Sequence, residues 1–181
     1  LSIDQHNKWI ELAAELNCES VRVNLSGSED QEEWVKRSVD GLTRLAKFAK
    51  QHYLNIIVEN HGGFSSNAML LAKVMKKTNL DNCGTLPDFG NFCIEGGYGT
   101  CSKWYDMYKG VAELMPFAKS VSAKTYNFDS DGNETKIDYK KMMKIVKDNS
   151  YKGFIGVEYE GHGLSEKDGI LATKKLIKRF I

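Results

Sequence analysis

The sequence is short of the residues that most often mark a metal scaffold or a disulfide scaffold. Its 181 residues include four cysteines and four histidines. Cys18, Cys83, Cys93 and Cys101 form no C-x-x-C pair, so a zinc ribbon is excluded. Four cysteines are also too few to staple a chain of this size, and reduced, mostly buried thiols are expected. A surplus of charge of one sign is missing too. There are 25 Lys and Arg against 24 Asp and Glu, a formal net charge of +1, which offers no attraction to a polyanion such as DNA or RNA. No apolar run approaches the roughly 20 residues that span a bilayer. Neither nucleic acid nor membrane is therefore an expected partner. A Gly-x-Gly-x-x-Gly turn after the first strand and a Walker loop are both lacking, which leaves a nucleotide-binding sheet without support.

What remains is ordinary globular composition, 41% hydrophobic and 27% charged, in a length that suits a single domain over residues 1–181. The chain enters a helical pattern almost at once, with Trp9, Leu12, Ala13 and Leu16 on one face. We read an N-terminal part as lying outside this sequence. No targeting segment is visible, and the expected location is cytoplasmic.

Five β-rich segments follow, each separated from the next by a helical pattern: Val21–Leu25, Asn55–Glu59, Cys83–Asp88, Lys119–Tyr126 and Phe154–Tyr159. After the first, Ser28 and Gln31 are spaced as a capping box, and Val35, Val39, Leu42, Leu45, Ala46 and Ala49 form one stripe. The second helix is expected over about Ser66 to Lys77, with Met69, Leu70, Val74 and Met75 as core residues. A Gly-rich loop from Glu95 to Thr100 leads to a helix marked by Trp104, Tyr108, Val111 and Met115. A further helix is capped near Asp138, and the last is expected to carry Ile170, Thr173, Ile177 and Phe180 toward the core. Strict alternation of strand and helix implies right-handed crossovers and a parallel sheet, either open or an incomplete barrel.

In such a sheet the C-terminal ends of the strands converge on the face where ligands bind. Those ends carry Glu59, Asp88, Lys124 and Glu158. The acids are separated by 88 − 59 = 29 and 158 − 88 = 70 residues, close to one and two βα units. Buried like charges repel unless a cation neutralises them, and an all-oxygen set suits a hard divalent ion such as Mg²⁺ or Mn²⁺. The competing reading is that each acid caps a following helix. Glu160 is a second candidate on the same face, and His61 a candidate for substrate contact. Arg22, inside the first strand, is a candidate anchor for a polyhydroxylated or anionic substrate. His6, His52 and His162 are read as structural or exposed.

The segments Ile56-Ile57-Val58-Glu59-Asn60-His61-Gly62-Gly63, Leu86-Pro87-Asp88-Phe89-Gly90-Asn91-Phe92, Lys119 to Tyr126 and Gly153 to Gly161 resemble, in order and spacing, strands of the xylose-isomerase-like sugar phosphate isomerase/epimerase family. The resemblance implies an α/β fold, a (β/α)₈ TIM barrel present here as a partial barrel of about strands four to eight. It implies one divalent ion, Mn²⁺ or Mg²⁺, held by Glu59, Asp88 and Glu158. The family's His-x-Lys pattern stands here as Ser122-Ala123-Lys124, so Ser122 takes the position of a ligand histidine. Asn91 stands where another histidine is often found.

The implied reaction is isomerisation or epimerisation of a sugar or sugar phosphate through an enediolate, with Glu59 and Glu158 as the acid–base pair. Arg22, His61, Asn91 and Lys124 would bind substrate. The partner expected is a small-molecule sugar, with a homo-oligomer as a possible assembly. The alternatives are a sugar-binding barrel without turnover, a lyase or dehydratase using the same carboxylates, and an apurinic endonuclease, for which four histidines are few.

Overall fold

The computed structural model describes residues 3–97 and 99–181. Tyr98, inside the Gly-rich loop read from the sequence, lies outside the described residues. The chain begins with α1 (Ile3–Glu15) and β1 (Ser20–Val23), then α2 (Gln31–Gln51), β2 (Asn55–Glu59), a 3₁₀ turn (Gly63–Ser66) and α3 (Ala68–Thr78). β3 (Cys83–Leu86), a small hairpin of β4 (Cys93–Glu95) and β5 (Lys103–Trp104), and α4 (Met107–Leu114) come next. β6 (Val121–Thr125), α5 (Tyr139–Asp148), β7 (Ile155–Tyr159) and α6 (Glu166–Ile177) complete it.

β1, β2 and β3 pair in parallel, and so do β6 and β7. Parallel bridges Thr85↔Ala118 and Asp88↔Ser122 join the two groups. The wall therefore runs β1–β2–β3–β6–β7 in chain order, each strand followed by a helix, which is a partial (β/α)₈ barrel. Central β2 is buried from Ile56 to Glu59, as a parallel strand covered on both faces must be. Ile56, Val58, Leu71, Phe89, Val121 and Met142 are among the residues of one continuous core beneath the helices.

Local sequence explains the helix starts, and here some expectations need correction. α2 is capped by Asp30, whose side chain accepts from the Glu33 amide at 2.8 Å. Ser28 instead accepts from the Asp30 amide, so the Ser28–Gln31 capping box does not form. α5 starts as expected, with Asp138 accepting from the Lys141 amide. Met69 and Ile170 are 63% and 42% exposed, because each lies on the outer face of its helix. Trp104 sits in β5, not in α4, and is exposed.

The apolar face read on α1 points largely outward. Ile10 is buried, whereas Trp9, Leu12 and Leu16 are exposed and line a groove along the unpaired side of β1, with Val21 and Leu25. Cys93 and Cys101 are joined as a disulfide across the base of the β4–β5 hairpin loop, correcting the expectation of four reduced thiols. Cys18 is exposed and Cys83 half-buried. Among the described residues, no helix is long and apolar enough to cross a membrane.

Candidate active site

The register of the wall brings the acids together. β2 ends at Glu59, β6 carries Ser122 and Lys124 at alternate positions, and Lys124 sits opposite Glu158 of β7. Residues two apart on a strand face the same way, so Ser122 and Lys124 point to the same side. One carboxylate oxygen from each of Glu59, Asp88 and Glu158 lies within 4.8 Å of the other two. Glu59 and Asp88 are buried, and Glu158 is half-buried.

Each of these groups is held by a neighbour. The Arg22 guanidinium donates to Glu59 Oε2, and Asn91 Nδ2 donates to Glu59 Oε1 at 2.8 Å. Asp88 Oδ1 accepts from the amides of Gly90 and Asn91 at 2.9 and 2.8 Å. Ser122 Oγ donates to Glu158 Oε2. Lys124 Nζ donates to Asn91 Oδ1 at 2.9 Å, and lies 3.0 Å from Glu160, 3.3 Å from Glu158 and 3.9 Å from Asp88. A chain of contacts thus runs from Arg22 through Glu59, Asn91 and Lys124 to Glu158 and Ser122.

The electrostatics follow from burial. Burial pushes the Asp88 carboxyl up to about 8; Lys124 opposes this, and the charges of Glu158 and Glu59 reinforce it. For Lys124 burial works downward, but Asp88, Glu158 and Glu160 outweigh it and hold the amine above its ordinary range. Burial would likewise raise Glu158, but the Ser122 hydroxyl and Lys124 bring its carboxyl below the usual range. Asp88 Oδ2 is buried and has no hydrogen-bond partner among the described residues, a costly state for a carboxylate oxygen.

Those observations fit a divalent cation. Four carboxylates, Glu59, Asp88, Glu158 and Glu160, face two cations, Arg22 and Lys124, leaving a net charge of −2 when all are ionised. The orphaned Asp88 Oδ2 belongs to the acid at the centre of this set. The donors are oxygens throughout, as hard ions prefer.

The structure places the remaining sequence candidates unequally. Asn91 and Ser122 are inside the cluster, each bonded to one of the acids. Arg22 is exposed along its side chain but committed to Glu59. Lys124, read as a substrate contact, is 1% exposed and lies within the carboxylate cluster rather than at its rim. His61 is exposed on the turn after β2, and it is its backbone amide that is tied down, donating to Ser65 Oγ. Asn60, fully buried beside Glu59, was given no role in the sequence; its only signal was a second polar side chain directly after the acid that ends β2.

A parallel βα wall with a carboxylate cluster at the C-terminal ends of its strands defines a barrel of the kind that binds ligands at its mouth. Residues 1–180 match the family described as xylose isomerase-like TIM barrel, and the chain belongs to that family. The C-glycoside deglycosidase alpha subunit of Arthrobacter globiformis is 35% identical over 75 residues, covering 38% of this chain and 21% of that subunit. The match therefore spans about a fifth of that relative's length. D-allulose 3-epimerase from Methylomonas sp. superposes with a TM-score of 0.75 at 16% identity, over 99% of this chain and 69% of that one. The IOLI protein with a binding zinc atom superposes with a TM-score of 0.71 at 17% identity, over 99% of this chain and 70% of that one. At these identities the solved structures establish a shared fold.

Proposed function

We propose that this chain forms the acid–base half of a sugar isomerase or epimerase, moving a proton on the carbon next to a carbonyl through an enediolate. The observation that carries the reading is the convergence of Glu59, Asp88 and Glu158 within 4.8 Å. Moving a proton next to a carbonyl needs a base to take it and an acid to return it, on the opposite face of the carbon in an epimerisation. Glu59 and Glu158 come from strands on either side of β3 and are the natural pair.

Their supports match that work. Arg22 and Asn91 engage both oxygens of Glu59, so its carboxylate is aimed before substrate arrives. Ser122 and Lys124 do the same for Glu158. Such preorganisation removes reorientation from the barrier. Glu59, Asp88 and Glu158 would hold a divalent ion, Mn²⁺ or Mg²⁺, which when bound supplies Lewis-acid stabilisation of the developing oxyanion. Both cations of the cluster are already engaged by carboxylates, which favours an uncharged sugar over a phosphorylated one.

Incubation of the full-length protein with a panel of ketoses in D₂O, with Mn²⁺, tests this directly. Deuterium should enter the carbon beside the carbonyl, and Glu59→Gln and Glu158→Gln should each slow the exchange by about 10²–10⁴-fold. Undiminished exchange in Glu59→Gln would sink the assignment. The 35% identity over 75 residues to a C-glycoside deglycosidase subunit supports a second reading: the same proton abstraction from a glycoside that carries a carbonyl, followed by elimination. In that step the C–C bond to the aglycone breaks, and the aglycone carbon takes the bonding pair and a proton from the acid of the pair. Release of free aglycone, instead of an isomeric sugar, separates the two.

A further inference from the structure

The loop that delivers Asp88 raises a question of support. β3 pairs with β2 as far as Glu59↔Leu86 and then leaves it. The next residue is Pro87, which has no N–H to donate. From there the chain turns to β6: Ser122 N–H donates to Pro87 O at 2.9 Å and Phe89 N–H to Ser122 O at 3.2 Å. On the β2 side the backbone of Asp88 would be left without a strand partner, and a buried unpaired peptide group is costly.

The side chain of Asn60 fills that place. Its Oδ1 accepts from the Asp88 amide at 2.8 Å, and its Nδ2 donates to Asp88 O at 3.0 Å and to Asn91 O at 3.1 Å. One side-chain amide thus both accepts from and donates to Asp88, as a neighbouring strand would. Asn60 is 0% exposed, so water cannot substitute for these bonds. The residues it grips are the two that matter most around Glu59. Asp88 supplies the orphaned Oδ2, and Asn91 donates to Glu59 and accepts from Lys124.

We infer that Asn60 is a positioning residue, its amide replacing the strand that β3 leaves and setting Asp88 and Asn91 against Glu59 so that the three acids can share one cation. The inference rests on the metal-site reading given above and adds to it the group that sets the site's geometry. Asn60 touches no reacting atom; it acts through Asp88 and Asn91. Partners that orient ligands in this way typically change metal affinity by about 10–100-fold when removed.

The test measures Mn²⁺ binding to the full-length protein by calorimetry and by the electron paramagnetic resonance spectrum of the bound ion. Asn82 provides the control. Its Nδ2 likewise donates to two carbonyls, those of Ala46 and Leu54, at the opposite end of β2. Asn60→Ala should weaken Mn²⁺ binding about 10–100-fold and alter the spectrum of the bound ion. Asn82→Ala should lower the unfolding temperature yet leave affinity and spectrum as in the parent.

If Asn60→Ala does not fold, Asn60→Asp serves. It keeps the acceptor for the Asp88 amide but sets an oxygen against the two carbonyls, and it too should lose affinity. Parent-like affinity and spectrum in these Asn60 variants, or an equal loss in Asn82→Ala, would overturn the positioning role while leaving the metal site standing. A parent protein that binds no Mn²⁺ would overturn the metal site and this inference together.

Discussion

Ser122 Oγ donates to Glu158 Oε2 over 2.5 Å, linking two adjacent strands at the mouth of the wall. The hydroxyl is turned toward the acid and serves it as a donor. The ligand set offered to an ion is then three carboxylates with no nitrogen. Oxygen sets favour Mg²⁺ and Mn²⁺, and an imidazole shifts preference toward Zn²⁺. Ser122→His is expected to raise Zn²⁺ affinity at least about tenfold relative to Mn²⁺, since it adds a nitrogen donor. Competition calorimetry with the two ions reads the ratio, and an unchanged ratio would show that position 122 does not reach the ion.

Lys124 is the internal counter-charge of the cluster, buried against Asp88, Glu158 and Glu160. Replacing it with methionine preserves most of the packing and strands those carboxylates without a cation. Removing one partner of a buried ion pair costs about 3–5 kcal/mol, and the lower end applies here because Glu158 and Glu160 reach solvent. Lys124→Met should therefore lose about 3 kcal/mol in denaturant unfolding with chelator present. Added Mn²⁺ should recover more stability in the variant than in the parent, because the ion supplies the missing charge. An unfolding midpoint equal to the parent's in chelator would contradict this.

Much of the wall was legible because short β-rich segments alternate with helical patterns along the chain. β2 was read to the residue, and β6 and β7 to within two. Glu59, Asp88 and Glu158 stood out because each lies at or within two residues of the C-terminal end of such a segment, close to unit spacing. Other features depend on what a residue meets in space. The contacts of Asn60 require knowing that the chain leaves β2 at Pro87. The β4–β5 hairpin, with strands of three and two residues, is too short to show alternation, and its Gly-rich connection hid the approach of Cys93 to Cys101. Which way the apolar face of α1 points was not legible, because helical periodicity identifies an apolar stripe but not what covers it.

The cysteines make a prediction that needs no substrate. Cys93 and Cys101 are paired, so of the four cysteines in this sequence only Cys18 and Cys83 should be open to a maleimide in the folded, unreduced protein, and all four after denaturation and reduction. The two free thiols should differ in rate. Cys18 is exposed, whereas burial pushes the Cys83 thiol up to about 11, with Lys119 opposing. The thiolate is the reactive form, so Cys83 should stay slow at pH 8 and accelerate only as the pH climbs toward 11. Peptide mapping of the labelled protein assigns each site. Labelling of Cys93 and Cys101 without reductant would exclude the disulfide.

Gly84 connects packing at the centre of β3 to the site one turn of chain further on. A Cβ placed there would lie 2.3 Å from Phe117 O and 2.6 Å from Lys119 Cγ. The first contact is backbone and cannot rotate away, so β3 and the segment entering β6 would have to part. The bridges that join them, Thr85↔Ala118 and Asp88↔Ser122, would stretch with them, and Asp88 would move relative to Glu158. Overpacking of this kind costs about 1–3 kcal/mol. Gly84→Ala should therefore lower stability in denaturant unfolding and weaken Mn²⁺ binding, although residue 84 touches no member of the cluster. Gly84→Ala with parent stability would mean that β3 and β6 can separate freely, and the close approach would then not be what holds Asp88 in register.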